Sequence, residues 1–202
     1  MDEINKENIG IIILAAGAST RFGKPKQLLE FEKQTLLERI AENALETGSE
    51  IIVVLGANAE KIGESVENLS VEIVVNEDWQ SGMSSSLVEG LRKMIEIKNN
   101  LQAVIILLCD QPFIDENTIL KLIEAQKSTN QMIVASRYAE TIGVPALFRR
   151  DVFDELLDLN KEIGAKSIIE KYAETDLATI SVPEAEFDID TEADFEQLVK
   201  SL

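Results

Sequence analysis

Hydrophobic and polar positions along the chain fall into two alternating kinds of segment. Short, mainly apolar runs at residues 9–15, 51–55, 71–75, 103–108 and 132–136 read as strands, the first of them buried on both faces. Between them, apolar residues recur at helical spacing. Residues 35–47 put Leu36, Leu37, Ile40, Ala44 and Leu45 on one face, with a Thr35/Glu38 capping box before them and Gly48 after them. Residues 58–69 form a more polar helix, and residues 83–97 a helix with Leu87, Leu91, Met94 and Ile95 inward. Asp115 caps another helix through about residue 125. The alternation predicts an α/β fold: a mostly parallel sheet with helices on both faces. Later punctuation differs. Residues 144–148 read as a core strand or a loop element, 152–159 and 165–173 as helices, 180–182 and 187–189 as a short hairpin or paired strands, and 191–202 as a last helix. No linker, low-complexity tract or repeat interrupts this pattern, so residues 1–202 are expected to form one domain.

The first strand breaks into Gly17, Ala18 and Ser19, which carry almost no side chain, so backbone N–H groups there can close around an anion. Arg21, Lys24 and Lys26 follow at once. The chain has a net charge of −18, which makes this cationic cluster informative and argues against nucleic acid or an anionic membrane surface as partner. The loop is not a P-loop: five residues separate Gly17 from Gly23, and Pro25 follows Lys24 where Ser or Thr is required. Pro25 also holds Lys24 extended. The dinucleotide fingerprint G-x-G-x-x-G is absent.

Histidine is absent, which removes Ser-His-Asp catalysis and ordinary zinc sites. A metal would be held by carboxylates, so Mg²⁺ is the natural ion. One cysteine allows no intrachain disulfide and fits a reducing cytoplasm. The acidic, polar start is unlike a signal peptide, and no apolar run is long enough to span a bilayer.

Asp110 follows the strongest strand, and Pro112 stops the ladder, so its carboxylate stands at a sheet edge. It can hold Mg²⁺ or simply form a turn. Alternation in residues 187–190 puts Phe187 and Ile189 on one face and Asp188 and Asp190 on the other. Asp190 can support the metal, or Asp190 or Thr191 can cap the last helix with Asp194; the roles can coexist. Gly82 allows close approach to the backbone, and the serines after it suit a helix start. By strand order, Gly17, Gly82 and Asp110 converge on one crevice at the carboxyl ends of the strands.

Residues 14–26 resemble L-A-A-G-x-S-x-R-x-G-x-P-K, the signature loop of nucleotidyltransferases with a Rossmann-like, three-layer α/β/α fold. Cys109-Asp110-Gln111-Pro112 resembles their metal-binding aspartate motif, more narrowly that of molybdenum cofactor cytidylyltransferases in the MobA-like NTP transferase family. Residues 76–87 are similar to the cytidylyltransferase pattern N-x-x-W-x-x-G-M-x-S-S-L. The resemblance implies a nucleotide site at Leu14, Ala15, Ala16, Gly17, Ala18, Ser19 and Lys26, with Gly82, Met83 and Ser84 beside the base. It implies catalysis by Arg21, Lys26 and Asp110, and metal at Asp110 and Asp190. Gly143 and Pro145 resemble the G-x-P element where the acceptor approaches. Val144 stands where His or Asn is common, and Lys161-Glu162-Ile163 stands where Gly-Asp usually precedes the Gly-Ala pair; both departures lie on the acceptor side. The implied reaction joins CTP and molybdopterin bearing molybdenum into a cytosine dinucleotide, with release of pyrophosphate. The alternatives are a guanylyl or other NTP transferase, and a non-catalytic protein that delivers the cofactor to a molybdenum hydroxylase.

Overall fold

The computed structural model describes residues 4–20, 22–159 and 164–200. Arg21 and residues 161–163 therefore lie outside the described residues. The central sheet has seven strands: β1 (Ile9–Leu14), β4 (Glu50–Leu55), β5 (Glu72–Val75), β6 (Ala103–Leu108), β7 (Ile133–Tyr138), β8 (Thr141–Arg149) and β9 (Leu177–Ser181). Their order is β5-β4-β1-β6-β8-β7-β9. Only β8 runs against the others, because a tight hairpin folds it back between β6 and β7. A separate two-stranded hairpin joins β2 (Glu30–Phe31) to β3 (Gln34–Thr35).

Side chains alternate across a strand, so each buried strand feeds two cores. Ile11 and Ile13 pack on one face with α1 (Leu36–Glu46), α2 (Ala59–Gly63) and α4 (Glu116–Thr129). Ile12 and Leu14 pack on the other with α3 (Met83–Ile97), α5 (Phe153–Leu157) and α6 (Ala165–Lys171). The result is three layers, α/β/α. The capping box of α1 is present, with Thr35 and Glu38 bonding each other's backbone. A third, smaller core gathers Phe22, Leu29, Phe31, Leu36, Ile189 and Leu198, the last from α7 (Glu192–Lys200). It joins the exit of the glycine loop to the C-terminal segment.

Two expected elements differ. Helix 58–69 is broken into α2 and a 3-10 turn, Glu64–Val66. Residues 180–182 and 187–189 do not pair with each other: β9 instead extends the edge at β7 in parallel, and Pro183 then opens a 3-10 turn, Pro183–Glu186. Residues 187–189 run onward to the end of β6, where the Ile189 N–H donates to the Asp110 carbonyl at 3.0 Å. Among the described residues no helix is long and apolar enough to cross a membrane.

Candidate functional site

From β1 the chain moves to β4 and β5 on one side, then crosses to β6 on the other. The carboxyl ends of β1 and β6 thus flank the point where strand order reverses, the place where such sheets open a crevice. The glycine loop leaves β1 there and Asp110 leaves β6 there. A cavity of about 450 Å³ occupies this crevice. Its walls include Leu14, Ala15, Ala16, Gly17, Ala18 and Lys26 from the first segment, Gly82 and Met83 from the start of α3, and Asp110 and Asp190. Trp79, Gln80 and Ser86 complete one wall.

Inside the loop, three successive backbone carbonyls are engaged by protein donors. Buried Gln27 donates through Nε2 to the carbonyls of Ala15 and Gly17, both at 2.8 Å. Ala57 N–H takes the Ala16 carbonyl at 3.1 Å. Ser19, at φ 52°, spends its hydroxyl within the loop: Oγ accepts the Lys26 N–H at 3.1 Å and donates to Gln27 Oε1 at 3.3 Å. Ser19 lines a smaller adjoining hollow with Gly17, Thr20, Lys26 and Asp190.

Lys26 is the centre of the charge arrangement. Its Nζ lies 2.6 Å from Asp110 Oδ2, 3.1 Å from Asp190 Oδ1 and 3.0 Å from the Ile189 carbonyl. Burial opposes its charge, but the Asp110 carboxylate more than offsets this and raises its pKa. Asp188, beside them, is pushed up to about 6 by desolvation and then by the Asp110 charge. Burial, and then Asp110, push the Cys109 thiol up to about 12, so it stays protonated and fits a filler role rather than that of a nucleophile. Thr191, not Asp190, caps α7: Asp194 accepts from the Thr191 N–H at 2.7 Å and donates its own N–H to Thr191 Oγ1 at 3.3 Å. Asp190 is left to face Lys26.

The donor set suits a hard divalent cation. Asp110 Oδ1 is buried without a hydrogen-bond partner. Among the described residues there is no group of three or more metal-ligating side chains. Asp110 and Asp190 would therefore contribute one or two carboxylates, and Mg²⁺ usually keeps the rest of its sphere for water and phosphate.

The serine-rich stretch is mostly structural. Buried Asn76 donates to Ser85 Oγ at 2.8 Å and Ser86 Oγ at 3.0 Å, which pins the 76–82 loop onto the first turn of α3. Gly82, at φ 104°, makes the turn into that helix, where a side chain would be strained. Met83 is exposed at the cavity, whereas Ser84 is buried and outside its walls. Gly143 and Pro145 also lie outside them. Both are buried in β8, where the Pro145 carbonyl accepts from Ser136 Oγ at 2.6 Å. Lys24 points elsewhere, over the Phe22 ring.

Sequence reasoning passed over Gln27 and Tyr138. The polar identity of Gln27 beside Lys26 was the available signal. Tyr138 closes β7, and its hydroxyl lies near Gly143; burial, and then the charges of Asp188 and Asp110, raise its pKa.

The sheet order and the crevice define a Rossmann-like nucleotidyltransferase fold. Crystallised Rv0371c from Mycobacterium tuberculosis H37Rv is similar at 28% identity and TM-score 0.81, covering 98% of this chain and 100% of that one. The manganese complex of that protein is similar at 27% identity and TM-score 0.75, covering 96% and 100%. The chain belongs to the MobA-like NTP transferase family, whose domain matches residues 11–176. It is 35% identical to nicotine blue oxidoreductase of Paenarthrobacter nicotinovorans over 141 residues, 69% of this chain and 66% of that one. It is 38% identical to molybdenum cofactor cytidylyltransferase of Escherichia coli K12 over 80 residues, 39% of this chain and 42% of that one. Both alignments span less than two thirds of the relative's own length.

Proposed function

We propose that the chain is a single-domain, metal-dependent nucleotidyltransferase of the cytoplasm that joins CTP to the terminal phosphate of a molybdopterin-type acceptor. The observation that carries this reading is the cavity in which the glycine loop, Lys26 and the Asp110–Asp190 pair face one another. The acceptor phosphate is already an anionic nucleophile, so no general base or covalent enzyme intermediate is needed. Its oxygen forms a bond to the α-phosphorus, and the bond from that phosphorus to the bridging oxygen breaks. The electron pair leaves with pyrophosphate. The protein aligns the two and disperses negative charge. Loop N–H groups cradle phosphate oxygens, and Lys26 neutralises charge at the reacting centre, joined by Arg21 on the family pattern. Asp110 and Asp190 would hold Mg²⁺ or Mn²⁺, the latter being the ion named in the related Rv0371c complex, and the bound cation would supply charge neutralisation to phosphate oxygens. Met83 and Trp79 offer the apolar wall for a base. Gly143 and Pro145 belong to the acceptor side by family pattern alone, and a molybdenum hydroxylase is the proposed recipient of the product.

Incubation with molybdenum-bearing molybdopterin, Mg²⁺ and each NTP in turn tests this, with the dinucleotide read by mass and pyrophosphate by a coupled assay. Product with GTP alone moves the assignment to the guanylyl branch. The similarity to a relative named for nicotine blue oxidation or reduction favours a second reading, redox chemistry in the same cavity. Turnover of nicotine blue, with no pyrophosphate from any NTP, would select it.

A further inference from the structure

The glycine loop presents an anion cradle only if its peptide planes are turned the right way. In a planar trans peptide the carbonyl of one residue and the N–H of the next point in opposite directions. Three successive carbonyls here are held by the protein: Ala15 and Gly17 by Gln27, Ala16 by Ala57. The N–H groups of Ala16, Gly17 and Ala18 are thereby directed away from those partners. Among the described residues none of the three donates to an acceptor. Two of the three planes depend on a single nitrogen, Gln27 Nε2.

The chemistry of that position is narrow. Gln27 is 1% exposed, so its carboxamide is directed to protein partners rather than to solvent. Two carbonyls require two donors, which a carboxamide nitrogen supplies without charge. The remaining oxygen, Oε1, accepts from Ser19 Oγ, and the same hydroxyl accepts the Lys26 N–H. Gln27 therefore links the start of the loop, its left-handed turn at Ser19 and the backbone of Lys26.

We propose that Gln27 is the positioning residue of this loop: its carboxamide holds the Ala15 and Gly17 carbonyls inward and so keeps the Ala16 and Ala18 N–H groups turned outward for a pyrophosphate-type anion. That the anion is part of a nucleoside triphosphate rests on the function proposed above.

The test compares wild type with Gln27→Met, which preserves volume and removes both donors, and Gln27→Glu, which preserves shape and replaces the donor nitrogen with an acceptor. Inorganic pyrophosphate is the probe. Binding is followed by fluorescence of Trp79, the one tryptophan of the chain and a wall of the cavity. Backbone amide resonances of Ala16, Gly17 and Ala18 are followed in ligand-free protein. Pyrophosphate affinity is expected to fall about tenfold or more in each variant that folds, with displaced Ala16 and Ala18 resonances. The KM for NTP rises in step, while that for the acceptor stays within about twofold. A side chain that only fills space would leave Gln27→Met like wild type. Wild-type affinity together with wild-type loop resonances, in either variant, overturns the proposal. If wild type binds neither pyrophosphate nor any NTP, the functional reading falls, and the loop resonances alone decide the role of Gln27.

Discussion

Gly56→Ala couples the fold to the cavity through one methyl group. Gly56 follows directly on β4 and lies against Trp79 and the Ala16 carbonyl of the glycine loop. A Cβ there would lie 2.5 Å from Trp79 Cβ and 2.7 Å from the Ala16 carbonyl oxygen. Carbon atoms rest comfortably at about 3.5–4.0 Å, so the gap must open by about 1 Å. Neither neighbour is the loose end of a side chain: one is the root of Trp79, and the other is a carbonyl tied to Ala57. Overpacking of this kind costs about 1–3 kcal/mol. For a chain of this length that corresponds to a fall of about 2–12 °C in Tm. Displacing a cavity wall by about 1 Å can cost up to ~100-fold in turnover. The assay combines calorimetry, Trp79 emission and NTP kinetics. A variant with unchanged Tm, unchanged emission and unchanged KM would refute the close packing of Gly56, Trp79 and Ala16.

Lys26→Ala and Asp110→Ala are each expected to cut turnover by about 100–1,000-fold while the fold persists; near-normal kcat in either folded variant removes its assigned role. Chelation with EDTA should abolish pyrophosphate release, and added Mg²⁺ or Mn²⁺ should restore it; full activity in EDTA contradicts a metal-held triphosphate. Asp115→Ala removes the N-cap of α4, where the carboxylate accepts from the Thr118 N–H at 2.9 Å, and should cost about 1 kcal/mol at pH 7 by denaturant unfolding. Burial opposes ionisation of Asp115, but hydrogen bonds from Thr118 and Asn117 outweigh it and lower its pKa. Its stabilisation is therefore present above the unfolded-state pKa of about 3.9 and lost as pH falls through the lower folded value. Wild type and variant should converge in stability below that value; a constant gap down to pH 2 would exclude the cap as its source.

Elements whose own residues specify them were readable from the chain. Helix α1 carries its capping box and apolar stripe, α3 begins after Gly82 and ends where its periodicity ends, and β6 is an unbroken apolar run. The β2–β3 hairpin was not, because Glu32 and Lys33 turn it at φ 52° and 72° without the Gly or Asn that usually marks such a turn. The partner of β9 was misread because an edge pairing at β7 leaves no local trace in residues 177–181. At the site, the nucleotide-side residues Leu14 to Ala18, Lys26, Gly82 and Met83 do share the cavity with Asp110 and Asp190. Ser84, Gly143 and Pro145 do not, since they are buried within α3 and β8.

By itself the sequence determined which residue types stand where: a buried strand that breaks into small residues, a lysine held beyond a proline, a carboxylate at the end of the strongest apolar run. These follow from local chemistry and the two periodicities of the backbone. Only the tertiary structure decided which of them meet. Lys26 and Asp110 are 84 residues apart and Lys26 and Asp190 are 164 apart, yet one ammonium touches both carboxylates. That meeting depends on β1 and β6 being neighbours and on Ile189 returning to the end of β6, which are properties of strand order rather than of any segment. The inward carbonyls of the glycine loop belong to the same class of facts. Small residues permit that geometry, but Gln27, folded back from the end of the same segment, and Ala57, reaching in from beyond β4, hold it.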